Sequence, residues 1–163
     1  FPIFLGSFLP SLNEAGHFKL GEEKFVFHGH ASREKQSRAQ LLEHAFKYLH
    51  SPYLWGGRSP FGIDCSGFTQ MVYRLSGYSL PRDAYQQAKL GETLSFIEES
   101  EAGDLAFFDN KDGDITHVGL ILEDNYIIHA SGQVRIDRLD QSGIYNPVLR
   151  THTHRLRVIK KVI

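Results

Sequence analysis

Apolar positions along the chain change their spacing twice. Leu41, Leu42, Ala45, Phe46 and Leu49 recur at helical spacing and predict a helix with one apolar face. Ser32 is the expected cap, with Lys35 standing where a capping box needs Glu or Gln. The helix should stop near His50, because Pro52 disfavours helical backbone at Ser51. Residues 52–64, broken by Pro52, Gly56, Gly57, Pro60 and Gly62, read as loop. Phe68, Met71, Val72 and Leu75 predict a second helix ended by Gly77. A short third helix is expected around Arg82–Leu90, closed by Gly91.

From residue 104 the pattern becomes that of strands. Asp104–Phe108, Thr116–Leu122, Tyr126–Ala130, Val134–Asp137 and Arg155–Val162 are short, rich in β-formers and separated by turn residues. Helices followed by strands predict an α+β domain, an antiparallel sheet packed against the N-terminal helices. That domain is placed at 32–163. Residues 1–31 form a separate β segment, with a strand expected over Lys24–His28. Thirty residues cannot bury a sizeable core alone. The segment therefore packs on the main domain or is the remnant of a small all-β domain.

Composition narrows the function. A formal net charge of −1 supplies no pull toward nucleic acid or anionic lipid. The apolar runs are far too short to span a membrane. The chain opens on Phe1 with no basic region, unlike a signal peptide, so the native start is expected upstream. The single cysteine excludes an internal disulfide and any cluster of several thiolates on one metal. Asp109–Asp114 fails the EF-hand pattern because Lys111 takes the third position, and it reads as a polar hairpin turn. His152 and His154 would share one face of a strand, but further metal ligands are not evident, and no cofactor is expected. The basic tail from Arg150 to Lys161 alternates with apolar residues and reads as a half-exposed edge strand. Trp55 is either a substrate platform or an ordinary packed aromatic.

Cys65 follows a glycine-rich loop and opens the second helical pattern. Free N–H groups and the positive end of the helix dipole favour a thiolate there, and could also hold an oxyanion. The alternative is a buried small hydrophobe. A nucleophilic cysteine needs a base, and His117 and His129 lie on adjacent predicted strands. If Glu123, Asp124 and Asn125 form the connecting loop, His117 faces Ser131 and His129 is its diagonal neighbour on the same face. A two-residue loop would put them on opposite faces.

Six ordered blocks resemble the NlpC/P60 family of papain-like cysteine peptidases. They are Tyr53–Gly57, Asp64–Phe68, Pro81–Asp83, Gly103–Phe108, His117–Gly119 and His129–Gly132. The resemblance covers roughly residues 35 to 163. It implies a papain-like fold and cleavage of bacterial cell-wall (peptidoglycan) stem peptides, typically between γ-D-glutamate and a diamino acid. It implies Cys65 as nucleophile, His117 as general base, His129 as the residue that orients it, and Tyr53 as an aid to the oxyanion site. Asp64, Ser66, Trp55, Arg82 and Asp83 are the implied substrate-binding residues, Asp64 as a partner for a free N-terminal ammonium. Residues 1–31 then resemble the last strands of a bacterial SH3-like domain that would complete the cleft. Two alternatives stay open: an amidase or acyltransferase on the same fold, and a catalytically silent wall-binding module. The compartment also stays open. Wall recycling would be cytoplasmic, and wall remodelling periplasmic or extracellular.

Overall fold

The structure is a computed structural model that describes residues 2–163, so Phe1 of the N-terminal segment lies outside it. A hairpin of β1 (His17–Leu20) and β2 (Glu23–Val26) comes first, with Phe18 stacked on Phe25. The strand expected at Lys24–His28 is this second arm, which leaves the hairpin after Val26. The segment touches the main domain: the Tyr48 hydroxyl donates to the Leu5 carbonyl, and the Arg33 guanidinium donates to that of Leu12.

Helix α1 (Arg38–Phe46) starts five residues later than the sequence suggested. Its cap is Ser37, not Ser32. The Gln40 amide oxygen accepts from the Ser37 backbone N–H at 3.1 Å, and the Ser37 hydroxyl faces the Gln40 N–H at 3.4 Å. Gln40 completes the box that Lys35 could not, since only a side-chain acceptor can reach back to the cap amide. The helix also ends before Leu49, and the chain turns through His50 at φ 69°. Arg38 ties the start of α1 to the end of the chain. Its guanidinium donates to the Ala102 carbonyl, to buried Asp104 and to the Ile163 carbonyl.

The region read as loop holds a small hairpin, β3 (Arg58–Ser59) with β4 (Gly62–Ile63). Helix α2 (Cys65–Leu75) follows, and α3 (Ala84–Gln87) occupies only the middle of its expected span. Seven strands then complete the molecule. They are β5 (Glu92–Leu94), β6 (Leu105–Asp109), β7 (Ile115–Ile121), β8 (Tyr126–Ser131), β9 (Gln133–Asp140), β10 (Gly143–Asn146) and β11 (Thr151–Lys161). Sequence periodicity missed β5 and β10, which are only three and four residues long and exist through their pairing with β11.

The antiparallel sheet runs β10-β9-β8-β7-β6-β11-β5, and a further β10–β11 pairing closes six of its strands into a barrel. This corrects the reading of the basic tail. β11 is no edge: β6 pairs it on one side, and β5 and β10 share the other. Its exposed arginines instead meet Asp109, with Arg155 Nε at 2.7 Å from the carboxylate. The turn after Asp109 is the expected polar hairpin turn, in which the Asn110 side-chain oxygen accepts from the N–H groups of Asp112 and Asp114.

Closure gives the sheet two buried faces. Leu105, Phe107, Val118, Leu120, Ile128 and Val134 pack with Leu41, Phe68 and Val72 of the helices. Ala106, Phe108, Ile121, Ile127, Leu139 and Ile144 fill the barrel. β6 is therefore buried at every position, which explains a continuous apolar run where a one-sided sheet would alternate. Leu120 is fully buried and Leu149 is two-thirds exposed on the β10–β11 loop. Leu120→Ala should lower stability by about 3 kcal/mol, and Leu149→Ala by less than about 0.5 kcal/mol. Urea unfolding followed by circular dichroism measures both.

Candidate active site

Cys65 is the first residue of α2, as its sequence context indicated. Asp64 is the N-cap, and its Oδ1 accepts from the Gly67 N–H at 2.7 Å. Glycine at 67 is a steric requirement: a Cβ there would sit 2.4 Å from the Gly57 carbonyl oxygen and 2.8 Å from the Asp64 carboxylate. The loop therefore packs directly onto the helix start and presents Cys65 at its tip. The thiol is 8 % exposed.

Helix position and burial act on this thiol in opposite directions. Burial pushes the Cys65 pKa up. Backbone N–H groups of Val118, Ser66 and Cys65 itself pull it down, while the Asp64 charge adds to the rise. Burial wins, and the group sits above its usual value. That direction runs against the pull toward a thiolate expected from a helix start. The Val118 contact also places the sulfur against β7, one residue beyond His117.

The β7–β8 connection has the three-residue form. The Leu122 N–H donates to the Tyr126 carbonyl at 2.8 Å, and Gly119 pairs with His129. His117 and His129 accordingly share a face and meet: His117 Nε2 and His129 Nδ1 are 2.9 Å apart. Gly119 makes room between them, since a Cβ there would lie 2.9 Å from the His129 Cβ. Both rings are buried, at 6 % and 1 % exposure. Burial, then the charges of His129 and His154, hold His117 well below the ordinary histidine range. Burial also lowers His129, against the pull of Asp137.

Two neighbours escaped the sequence reading. Asp137 Oδ2 lies 3.0 Å from His129 Nε2. His154 stacks on His117, with ring centroids 4.2 Å apart and planes at 29°. Burial lowers its pKa to about 4. His154 does not pair with His152 as a metal site, because His152 turns to Asp140 at 2.8 Å. A register shift in β10–β11 separates the two. No short-range pattern could have placed β11 beside β7, since that proximity comes from barrel closure.

A cavity of about 340 Å³ opens beside His117 and His154, lined also by Tyr53, Thr116, Ser131 and Gly132. A similar one, about 360 Å³, lies among Pro2, Ile3, Phe18 and Phe25 of the N-terminal segment and holds none of the candidate reactive residues. Tyr53 is half-buried, and its pKa is raised by burial and by the nearby charges of Cys65 and Asp64.

The remaining implied residues divide. Asp64, Ser66 and Arg82 form one cluster: Arg82 donates to both Asp64 oxygens at 3.0 and 2.5 Å and to the Ser66 hydroxyl at 2.9 Å. The Gly56 N–H also donates to Asp64. With two amides and a guanidinium already on it, the Asp64 carboxylate has little capacity left for a substrate ammonium. Burial alone would raise its pKa, but these bonds hold it below the usual carboxylate range. Asp83 stays apart, exposed at the start of α3. Trp55 is 85 % exposed, which removes the packed-aromatic alternative.

A family model described as "NlpC/P60 family" matches residues 50–155, the span that holds every one of these groups. The chain belongs to the NlpC/P60 family. Among curated relatives of this NlpC/P60 chain, a gamma-D-glutamyl-L-lysine dipeptidyl-peptidase of Bacillus subtilis (strain 168) is 39 % identical over 125 residues. That alignment covers 72 % of this chain and 42 % of the relative, so the chain spans less than half of that protein. An NlpC/P60 family protein of Bacillus cereus superposes with a TM-score of 0.71 at 24 % identity, over 94 % of this chain and 52 % of its own. The NlpC/p60 domain of the peptidoglycan hydrolase SagA superposes with a TM-score of 0.61 at 28 % identity, over 77 % of this chain and 98 % of its own. The expected family and papain-like α+β fold are both borne out.

The Arg82–Asp64 pair makes a prediction about acid stability. Asp64 has a depressed pKa in the folded state. Its contribution is complete above the unfolded carboxylate value of about 4 and is lost as pH falls through the lower folded value. Arg82→Met removes the guanidinium and should cost about 2 kcal/mol at neutral pH. It should also move the acid unfolding midpoint upward. Thermal unfolding between pH 3 and 7 measures both effects.

Proposed function

We propose that this chain hydrolyses stem peptides of the bacterial cell wall at the bond between γ-D-glutamate and a diamino acid, with Cys65 as nucleophile. The observation that carries the reading is the buried contact between His117 and His129, set one residue from the amide that faces the Cys65 sulfur. It supplies a nucleophile, a base and an orienting group, the three parts that acyl transfer by a thiol requires. The names of the relatives point to the same bond.

As the Cys65 sulfur attacks the γ-glutamyl carbonyl, its proton passes to His117. The backbone N–H of Cys65 and the Tyr53 hydroxyl face the developing oxyanion. His117 then protonates the leaving amine, and the tetrahedral adduct collapses to a thioester. A water molecule gives its proton to His117 and attacks the thioester, and the thiol leaves with the proton restored. Side chains move every proton, so no cofactor enters.

For the substrate site, Asp64 holds Arg82 and Ser66 in place beside the nucleophile, and exposed Trp55 offers an apolar platform on the neighbouring loop. Residues 2–31 fit the end of an SH3-like domain. Support comes from the β1–β2 hairpin, which ends just before the catalytic unit.

Incubation with L-Ala-γ-D-Glu-L-Lys, free or N-acetylated, followed by mass spectrometry, tests the reading. The free peptide should be cut after γ-D-Glu. Cys65→Ala should lose at least about 10³-fold in kcat with little change in its unfolding curve, and His117→Ala nearly as much. His129→Ala should lose about 10²-fold, because an orienting residue is partly replaceable. Turnover retained by Cys65→Ala, or no cleavage by the unmodified chain, would overturn the proposal.

A further inference from the structure

We propose that Asp137 is a positioning residue that dictates, through His129, which nitrogen of His117 is free to act as base. The inference rests on the Cys65–His117 reading above. Its geometry begins in the register of β8 and β9. Arg135 pairs with His129, and Asp137 pairs with Ile127, so Asp137 lies diagonally from His129 on the barrel-facing side. The same face carries Leu139 and Ile127 into the barrel core. Packing gives no reason for a carboxylate that is only 4 % exposed beside them.

Its hydrogen bonds do. Asp137 Oδ1 accepts from Arg135 Nη2 at 2.9 Å, and Oδ2 faces His129 Nε2 at 3.0 Å with Arg135 Nε 2.7 Å away on the same oxygen. Burial would raise its pKa, but His129 and Arg135 bring it below the usual range, so it is ionised. An ionised carboxylate only accepts hydrogen bonds. His129 must therefore carry its proton on Nε2, which leaves Nδ1 as an acceptor. The facing atom is His117 Nε2, which must then donate. His117 is left with an unprotonated Nδ1, the nitrogen that can take a proton from the thiol. The chain from Asp137 through His129 to His117 has one direction, and the carboxylate sets it.

The charged and titratable groups around this chain are few. Arg135 lies on β9 with Asp137. His154 lies on β11, stacked on His117 and 5.7 Å from His129 between ring centroids. Neither can replace the acceptor: Arg135 only donates, and His154 meets His129 edge to face.

Asp137→Asn tests the direction. Arg135 would hold the amide oxygen and leave the amide N–H₂ to donate to His129 Nε2. The relay then reverses, and His117 carries its proton on Nδ1, where the base is needed. A comparable reversal costs about 10⁴-fold in serine peptidases. With one more ring interposed we expect kcat to fall about 10²-fold on L-Ala-γ-D-Glu-L-Lys, with KM changed less than about twofold. Long-range ¹⁵N–¹H spectra of both proteins at neutral pH read the tautomers directly. The expected result is His117 Nε2–H in the unmodified chain and Nδ1–H in Asp137→Asn. Asp137→Glu, which keeps the acceptor, should retain the first tautomer. Unchanged kcat in a folded Asp137→Asn protein, or the same His117 tautomer in both, overturns the inference. His129 protonated on Nδ1 in the unmodified chain does so even if the variant fails to fold. If the unmodified chain cuts no peptide, the functional reading fails, while the tautomers still decide the role of Asp137.

Discussion

The register of β7 against β8 is the constraint on which the rest of the site depends. A side chain in a strand reaches one face only, and a slip of one residue exchanges the faces. Here the register is set by three residues, Glu123 to Asn125. Two of them, Asp124 and Asn125, adopt left-handed backbone at φ 56° and 60°. Asp and Asn accept that conformation at low cost, and the Asn125 carbonyl is anchored by the Leu139 N–H of β9. The same turn that reverses the chain therefore determines that two imidazoles meet. Gly119 completes the fit, because the space beside His129 admits no Cβ there.

Burial shapes the chemistry as strongly as geometry does. Burial pushes the thiol up and the imidazole down. A carboxylate stands two hydrogen bonds behind His117, at Asp137, where Arg135 compensates its charge. On the other side of Cys65, the Asp64–Arg82 pair serves the scaffold: the carboxylate caps α2, fastens the Gly56 loop and holds the guanidinium over Ser66.

Much of this was legible one residue at a time. The start of α2 at Cys65 follows from a glycine-rich loop meeting an apolar helical pattern, and the shared face of His117 and His129 follows from counting across the turn on the condition, met in the structure, that the turn has three residues. The errors have equally local causes. Ser32 and Lys35 imitate a capping box, but the functional box is Ser37 with Gln40, a distinction that depends on which side chain reaches which amide. β10 is too short to announce itself, and β11 has the alternation of an edge strand because its arginines face Asp109 at the barrel surface. His154 stayed hidden for a related reason, because β11 comes beside β7 only through barrel closure. Asp137 is just eight residues beyond His129 on the adjacent strand, and finding it needed the β8–β9 register, which the sequence reading did not count.

The amino-acid sequence by itself determined the family, the three helices and the longer strands of the sheet, and the candidate residues Cys65, His117 and His129, because each rests on local spacing or on a contiguous motif. The tertiary structure alone decided three further matters. Closure of the sheet into a barrel set His154 on His117. The β8–β9 pairing set Asp137 behind His129. Burial overruled the helix dipole at Cys65. The first and third are outcomes of packing between distant segments, where the environment of a group depends on what covers it, and the second is an outcome of the register between two adjacent strands.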